Sequence, residues 1–154
     1  MNIKIREATP ADIDIIVRYN LALARETESR ELDEALLRAG VEALLRDRNK
    51  GVYYLAEEDG EVLGQTLVTY EWSDWRNGTF WWIQSVYVTP NHRGESVFGA
   101  LYRHLHALAS NDPTVCGMRL YVDRDNRRAA EIYRALGMKD AHYEMLEVDF
   151  RMQR

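Results

Sequence analysis

The run 79–89, Thr-Phe-Trp-Trp-Ile-Gln-Ser-Val-Tyr-Val-Thr, leaves this chain fewer choices than any other segment. Aromatic and β-branched side chains suit an extended pleat and crowd a helix. Because apolar residues fall on both parities, such a strand must be covered on both faces. A strand covered on both faces requires a sheet with helices layered on it, and 154 residues suffice for that. A chain of this length buries roughly 68–70% of its unfolded surface without help from metal or disulfide. No Pro/Ser/Gly-rich linker, repeat or low-complexity tract interrupts it, so one domain spanning 1–154 is expected.

The remaining segments supply the neighbours. Residues 2–6 alternate as a short strand, and Thr9-Pro10-Ala11-Asp12 reads as a helix start. Ile13, Ile16, Val17 and Ala24 keep the helical period over 10–25, as do Leu37, Val41, Leu44 and Leu45 over 31–46. Strand-like stretches 52–57 and 62–70 flank Asp59-Gly60, a tight-hairpin signal. An aromatic loop is expected over 71–78. Val97, Leu101, Leu105 and Leu108 form a helical stripe, 118–123 reads as a strand, and Ala129, Ile132, Tyr133 and Leu136 form a second stripe closed by Gly137. The tail 142–150 is strand-like. The order β, α, α, β, β, β, α, β, α, β gives an α/β (α+β) domain, a mixed sheet flanked by helices.

Composition excludes several classes of function. Twenty basic against 25 acidic residues give a formal net charge of -5, which disfavours broad binding to nucleic acid or an anionic membrane. A single Cys116 excludes an intramolecular disulfide framework, and the four histidines lack metal-ligand spacing, so no metal is expected. The start MNIKIREATP has no apolar signal core, and no apolar run approaches membrane-spanning length. A soluble cytoplasmic protein is the expectation.

Two segments carry chemistry. In the first, Val86-Tyr87-Val88 empties into Thr89-Pro90-Asn91-His92-Arg93-Gly94-Glu95-Ser96-Val97-Phe98. A strand, a short glycine-containing loop and a helix start present backbone N–H groups and a positive dipole end, an anion site that Arg93 would reinforce. Read alone, the same segment is also an ordinary β–α connection. In the second, a strand ends at Asp123, Asn126 opens a helix, and Tyr133 lies two turns along it; read alone, these are an N-cap and a core aromatic.

Together the segments resemble the GNAT superfamily of acetyl-CoA-dependent N-acetyltransferases. The first is similar to its pyrophosphate-binding motif, R-x-x-G-x-G/A, with Ser96 and Phe98 standing where the later glycines fall. The second is similar to N-x-x-A-x-x-x-Y-x-x-x-G-F/M, matched at Asn126, Ala129, Tyr133 and Gly137-Met138. The resemblance implies a GNAT-like fold with a mostly antiparallel sheet, and acetyl-CoA bound where strands 80–88 and 118–123 splay. It implies that the backbones of Val86 and Val88 pair with the pantetheine arm, with Arg93, Gly94, Ser96, Val97 and Phe98 at the pyrophosphate and Asn126 steadying the arm. It further implies direct attack by a primary amine of a small molecule or peptide. Tyr133 would protonate the departing thiolate and the Val86 N–H would face the oxyanion.

The general base has no motif match, because Trp82 and Gln84 stand where many relatives carry a carboxylate or its water contact. Glu71 is the expected base, with Asp74 as its neighbour, and the surrounding tryptophans are expected to desolvate Glu71 and raise its pKa. Trp72, Trp75, Trp81 and Trp82 are open to three readings: an acceptor pocket, core, or the face of a homodimer. A rival to the enzyme is a non-catalytic acyl-CoA-binding sensor or interaction module, and a third reading is an interaction protein with a vestigial cleft.

Overall fold

The structure, a computed structural model, describes residues 2–94 and 96–152; Glu95 of the anion loop lies outside the described residues. The chain divides into two compact units, 1–121 and 122–154. The first unit holds β1 (Lys4–Glu7), α1 (Ile13–Glu28), α2 (Glu34–Leu45), β2 (Val52–Glu58), β3 (Glu61–Ser73), β4 (Gly78–Val88), α3 (Val97–Asn111) and β5 (Val115–Arg119). The strands form one sheet in the order β1-β2-β3-β4-β5. All neighbours are antiparallel except β4 and β5, so the sheet is mixed and mostly antiparallel, as expected.

The aromatic run is β4, second from the β5 edge of this sheet and layered on both sides. On one face Ile16 and Val17 of α1 and Val41 of α2 pack with Tyr53, Leu55 and Leu67 of the sheet. On the other lies α3, whose Leu101 and Leu105 are wholly buried and whose His104 ring stands 5.9 Å from that of Tyr54. The Asp59-Gly60 hairpin forms as expected. Both residues have positive φ, 51° and 81°, which matches the twist of the flanking strands.

Several boundaries differ, each for a local reason. The Thr9 capping box forms on a 3-10 turn at Pro10–Asp12 rather than directly on α1. Asp33 caps α2, accepting from the Leu36 N–H at 3.1 Å, so that helix starts at Glu34 rather than at the expected 31. β3 runs on to Ser73, absorbing Glu71 and Trp72 into the hairpin with β4. β5 covers 115–119 rather than 118–123, because its parallel ladder begins where the Thr79 N–H donates to Thr114 O. Within it, a Cβ on Gly117 would lie 2.6 Å from the Phe80 ring, so only glycine lets that ring lie across the strand.

The second unit contains α4 (Arg127–Ala135), with Asn126 as its N-cap and Gly137 at φ 102° beyond its end. The expected strand at 142–150 is not formed. Asp140 Oδ1 accepts the His142 N–H at 2.9 Å, and Asp149 Oδ1 accepts the N–H groups of Arg151 and Met152 at 2.8 Å. These local turns bracket the segment, and side-chain-to-backbone closure of this kind competes with a ladder. Alternation alone does not make a strand without a paired edge.

Asp12 ties β1 to the start of α1. It is buried, accepts both terminal nitrogens of Arg6 at 2.9 Å and takes the Thr9 N–H at 2.7 Å. The hydrogen bond from Arg6 leads the effects that hold its carboxyl below the ordinary value. A depressed folded pKa stabilises fully above the unfolded value of about 3.9 and less as pH falls through the folded value. Asp12→Asn should therefore cost about 1–3 kcal/mol at neutral pH and flatten the acid side of the stability profile, checked by thermal melts against pH.

Candidate functional site

The site is built on a change of phase in β4. Along its first part, Phe80, Trp82 and Gln84 oppose Glu71, Thr69 and Leu67 of β3. The next pairs are Tyr87 with Gln65 and Val88 with Gly64, so Ser85 and Val86 together oppose Thr66 alone. This β-bulge carries Ser85 at φ 52°, a left-handed conformation for a residue with a Cβ. In an antiparallel ladder successive residues send their backbone polar groups to opposite edges. Thr89 donates to Leu63 O at 2.9 Å, so Thr89 and Tyr87 face β3 while Val88 and Val86 face the other edge. Without the extra residue those parities would be exchanged.

Among the described residues no strand pairs with the edge that Val86 and Val88 face. Pairing of β4 with β5 ends at Trp82 opposite Arg119. Beyond it the chain turns through Pro90–His92, passes Gly94 at φ 82° and Ser96 at φ 63°, and enters the fifteen-residue α3. The first intrahelical bond runs from Ala100 N–H to Ser96 O at 2.9 Å. The amides of Val97 and Phe98 precede it at the positive end of the dipole. Open strand edge and helix start are thus continuous, the shape needed by an extended amide chain that ends in phosphates.

Arg93 stands at this mouth but is turned toward α1. Its Nη2 donates to Glu26 Oε2 at 2.6 Å and its Nε to Val88 O at 2.9 Å, with the guanidinium 5.4 Å from the Tyr87 ring centre. Phe98 is half-buried, its ring 6.3 Å from that of Tyr102 within α3.

Glu71, Phe80 and Trp82 lie on the sheet face that carries Leu67. Glu71 Oε1 accepts the Trp82 indole N–H at 2.8 Å and Arg119 Nη1 at 3.0 Å. The Arg119 guanidinium rests 3.7 Å from the centre of the Phe80 ring, and Trp82 faces Tyr121 at 6.0 Å. The indole hydrogen bond first, and then that of Arg119, hold the Glu71 carboxyl below the usual carboxylate value. The expectation that tryptophan would raise this pKa is thus reversed: Trp82 offers a donor to the ionised form instead of an apolar wall.

The four tryptophans do not form one cluster. Trp81 points to the opposite face against Tyr70, at 6.4 Å, and Trp72 and Trp75 are exposed. Asp74 accepts the Trp75 N–H in the turn between β3 and β4. In the second unit, Asn126 Oδ1 accepts the Ala129 N–H at 3.2 Å, and Tyr133 is half-buried in α4, its hydroxyl pKa raised by that burial.

Sequence reading missed Arg119, Gln65, Thr66 and Glu26. A polar pair inside the apolar stretch 62–70 and an arginine inside the strand run 118–123 were the available signals for the first three. Glu26 had none, since only the fold brings it to Arg93. Among the described residues no His, Cys, Asp or Glu group is gathered as for a metal ion, and no helix is long and apolar enough to cross a membrane.

A sheet edge left unpaired beyond Trp82 and running into a helix start is a scaffold suited to an extended ligand that ends in phosphates. The family model of the acetyltransferase (GNAT) family matches residues 18–138, and the chain belongs to that family. It is similar to a thialysine N-epsilon-acetyltransferase of Bos taurus, 28% identical over 146 residues, which cover 90% of this chain and 85% of the bovine protein. Among solved structures it is similar to a possible acetyltransferase from Clostridium difficile 630, with TM-score 0.90, 44% identity and coverage of 97% and 98% of the two chains. A predicted acetyltransferase with acetyl-CoA from Clostridium acetobutylicum shares the fold, with TM-score 0.76, 20% identity and 96% of each chain covered. The protein is an acetyltransferase of this class.

Proposed function

We propose that this protein transfers the acetyl group of acetyl-CoA to a primary amine of a small molecule or peptide by direct attack. The observation that carries the reading is the phase reversal of β4, which turns Val86 and Val88 toward an open edge continuous with the start of α3. Pantetheine is a chain of amides that can add to such an edge as a strand does, and its pyrophosphate suits a helix start. The amides of Gly94, Ser96, Val97 and Phe98, with Arg93, are the groups assigned to the pyrophosphate, and the Asn126 amide to the arm. The Val86 N–H is assigned to the carbonyl oxygen that becomes an oxyanion.

Tyr133 is assigned as the acid for the thiolate. Its raised pKa keeps the hydroxyl protonated throughout the neutral range. Glu71 is assigned to the acceptor side, where its carboxylate, held ionised at neutral pH, attracts an ammonium and receives the proton directly or through water. The name of the bovine relative supports an aliphatic amine as acceptor. The reading carries with it one functional domain over 1–154, a cytoplasmic setting, and a homodimer to which exposed Trp72 and Trp75 could contribute apolar area.

Acetyl-CoA should raise the melting temperature in proportion to the logarithm of its concentration. Arg93→Ala should weaken binding by about 1–3 kcal/mol, the scale of a charge-assisted hydrogen bond; no shift at millimolar acetyl-CoA would remove the cosubstrate assignment. Tyr133→Phe should lower kcat by roughly 10²–10⁴-fold with CoA affinity retained, and wild-type turnover would return Tyr133 to the core.

For Glu71 the sign follows from its depressed pKa. It is ionised at neutral pH, so no limb of the pH–rate profile between about pH 6 and 9 belongs to its own titration. An amine with a pKa of about 10.4 is mostly protonated there. Glu71→Gln should reduce kcat/KM most near neutrality, and the deficit should close as pH approaches the pKa of the amine. A parallel profile at all pH values would take Glu71 out of proton transfer.

A further inference from the structure

The bulge at Ser85 and Val86 is gripped from both faces of the sheet by side chains of β3. Gln65 and Thr66 are adjacent residues of one strand and so project to opposite faces. Gln65 Nε2 donates to Ser85 O, and Thr66 Oγ1 donates to Gln84 O, each at 3.1 Å. Both residues are completely buried at 0% exposure, in a strand whose neighbours Leu63, Leu67 and Val68 are apolar. Burying an amide and a hydroxyl in such surroundings is costly unless each has a partner, and Gln65 Oε1 has none among the described residues. An apolar pair would fill the space without that penalty, so packing does not account for these two residues.

Further side-chain hydrogen bonds lie in the neighbouring elements. Asn20 of α1 donates through Nδ2 to Ile16 O at 3.0 Å and to the Tyr53 hydroxyl at 3.1 Å. In β4 itself, Gln84 Nε2 donates to Thr69 Oγ1 at 2.5 Å. A non-glycine residue in the left-handed region persists only when its surroundings over-determine it, and Ser85 is held through its own carbonyl and that of Gln84 before it.

We propose that Gln65 and Thr66 are positioning residues for acetyl transfer, clamping the Ser85 bulge so that the Val86 N–H keeps its direction toward the open edge. This rests on the assignment of that N–H to the oxyanion. Neither residue meets the reacting atoms; each acts through the carbonyl it binds. A donor displaced by a fraction of an ångström loses transition-state stabilisation while substrate held elsewhere stays bound. The Gln65 and Thr66 side chains reach the bulge independently from the two faces, so loss of either should tilt it.

The test combines steady-state kinetics with the backbone amide NMR spectrum of the ligand-free protein. Thr66→Val keeps the shape and deletes the donor; Gln65→Leu does the same on the other face; Thr66→Ser keeps the hydroxyl. Thr66→Val and Gln65→Leu should each lower kcat by about 10–100-fold. Their affinity for free CoA, held at the start of α3, should change by less than about threefold. Both should shift the Ser85 and Val86 amide resonances, whereas Thr66→Ser should stay near wild type in rate and spectrum. Wild-type kcat in both deletion variants, unmoved Ser85 and Val86 amides, or an equal loss in Thr66→Ser would overturn the proposal. If Gln65→Leu does not fold, the Thr66 pair decides alone. A wild-type protein without acetyl transfer whose Val86 amide still moves in Thr66→Val would overturn the oxyanion assignment and leave the clamp standing.

Discussion

A strand can show its backbone polar groups to only one neighbour at each residue, and β4 has a neighbour on each side. From Thr79 to Trp82 it satisfies both, antiparallel with β3 and parallel with β5. Past Trp82 the second neighbour is gone, and the extra residue at Ser85 exchanges the parities that point each way. Val86 and Val88 become the residues whose backbone meets the open edge. The left-handed Ser85 costs on the order of 1–3 kcal/mol, which the covered sheet and the hydrogen bonds from β3 offset. The assignments made for Val86 and Val88 depend on that one residue of slippage.

The chain is acidic overall, with net charge -5, yet its family uses a cosubstrate rich in phosphate. The two facts are compatible on the proposed reading, in which the anion site draws little on side-chain charge. Backbone N–H groups and the α3 dipole act over a few ångströms, while surface charges beyond about 8–10 Å are screened at physiological salt. The cation at the mouth, Arg93, is itself shared with Glu26 of α1 and with the Val88 carbonyl. Exposed pairs of this kind are individually weak, so Arg93 can exchange an internal carboxylate for a phosphate without a large change in fold energy. The Ser96 and Phe98 departures from the glycine pattern fit the same picture. Ser96 takes the left-handed conformation at φ 63° without glycine, and Phe98 turns its ring toward Tyr102.

What the sequence made legible was whatever local chemistry decides. The Asp59-Gly60 turn, the strand at 79–89 with Phe80 and Ile83 buried on opposite faces, and the Asn126 cap each follow from a few neighbouring residues, and each formed. The boundary of β5 and the fate of 142–150 depend on pairing partners distant in sequence, and there periodicity misled: alternating residues in 142–150 met aspartate-centred turns instead of an edge. Glu71 shows the same division. Its place next to a strand was readable, and the fold puts it within β3 opposite Phe80. Its pKa was not, because the sign depends on whether tryptophan offers it a ring face or an N–H. Gln65 and Thr66 were passed over as ordinary strand residues, since their partners are backbone carbonyls about twenty positions away.

The carboxylate of the acceptor side is tied to the same short ladder that opens the cosubstrate edge. Gly117 lacks the Cβ that would strike the Phe80 ring, so the ring lies across β5. Arg119, two residues on, rests on that ring and donates to Glu71. Guanidinium on an aromatic face keeps its N–H fork in plane and available to a carboxylate. The part of the depression of the Glu71 pKa that comes from Arg119, second to that from the Trp82 indole, is therefore a consequence of where β5 pairs with β4. The pairing ends at Trp82 and Arg119, the two donors to Glu71. Below that rung the ladder sets the charge on the acceptor face, and above it the divergence of the strands frees the edge of β4. Moving the end of the ladder by one residue would alter both at once, so on the proposed reading this rung joins the carboxylate assigned to the amine to the edge assigned to the thioester.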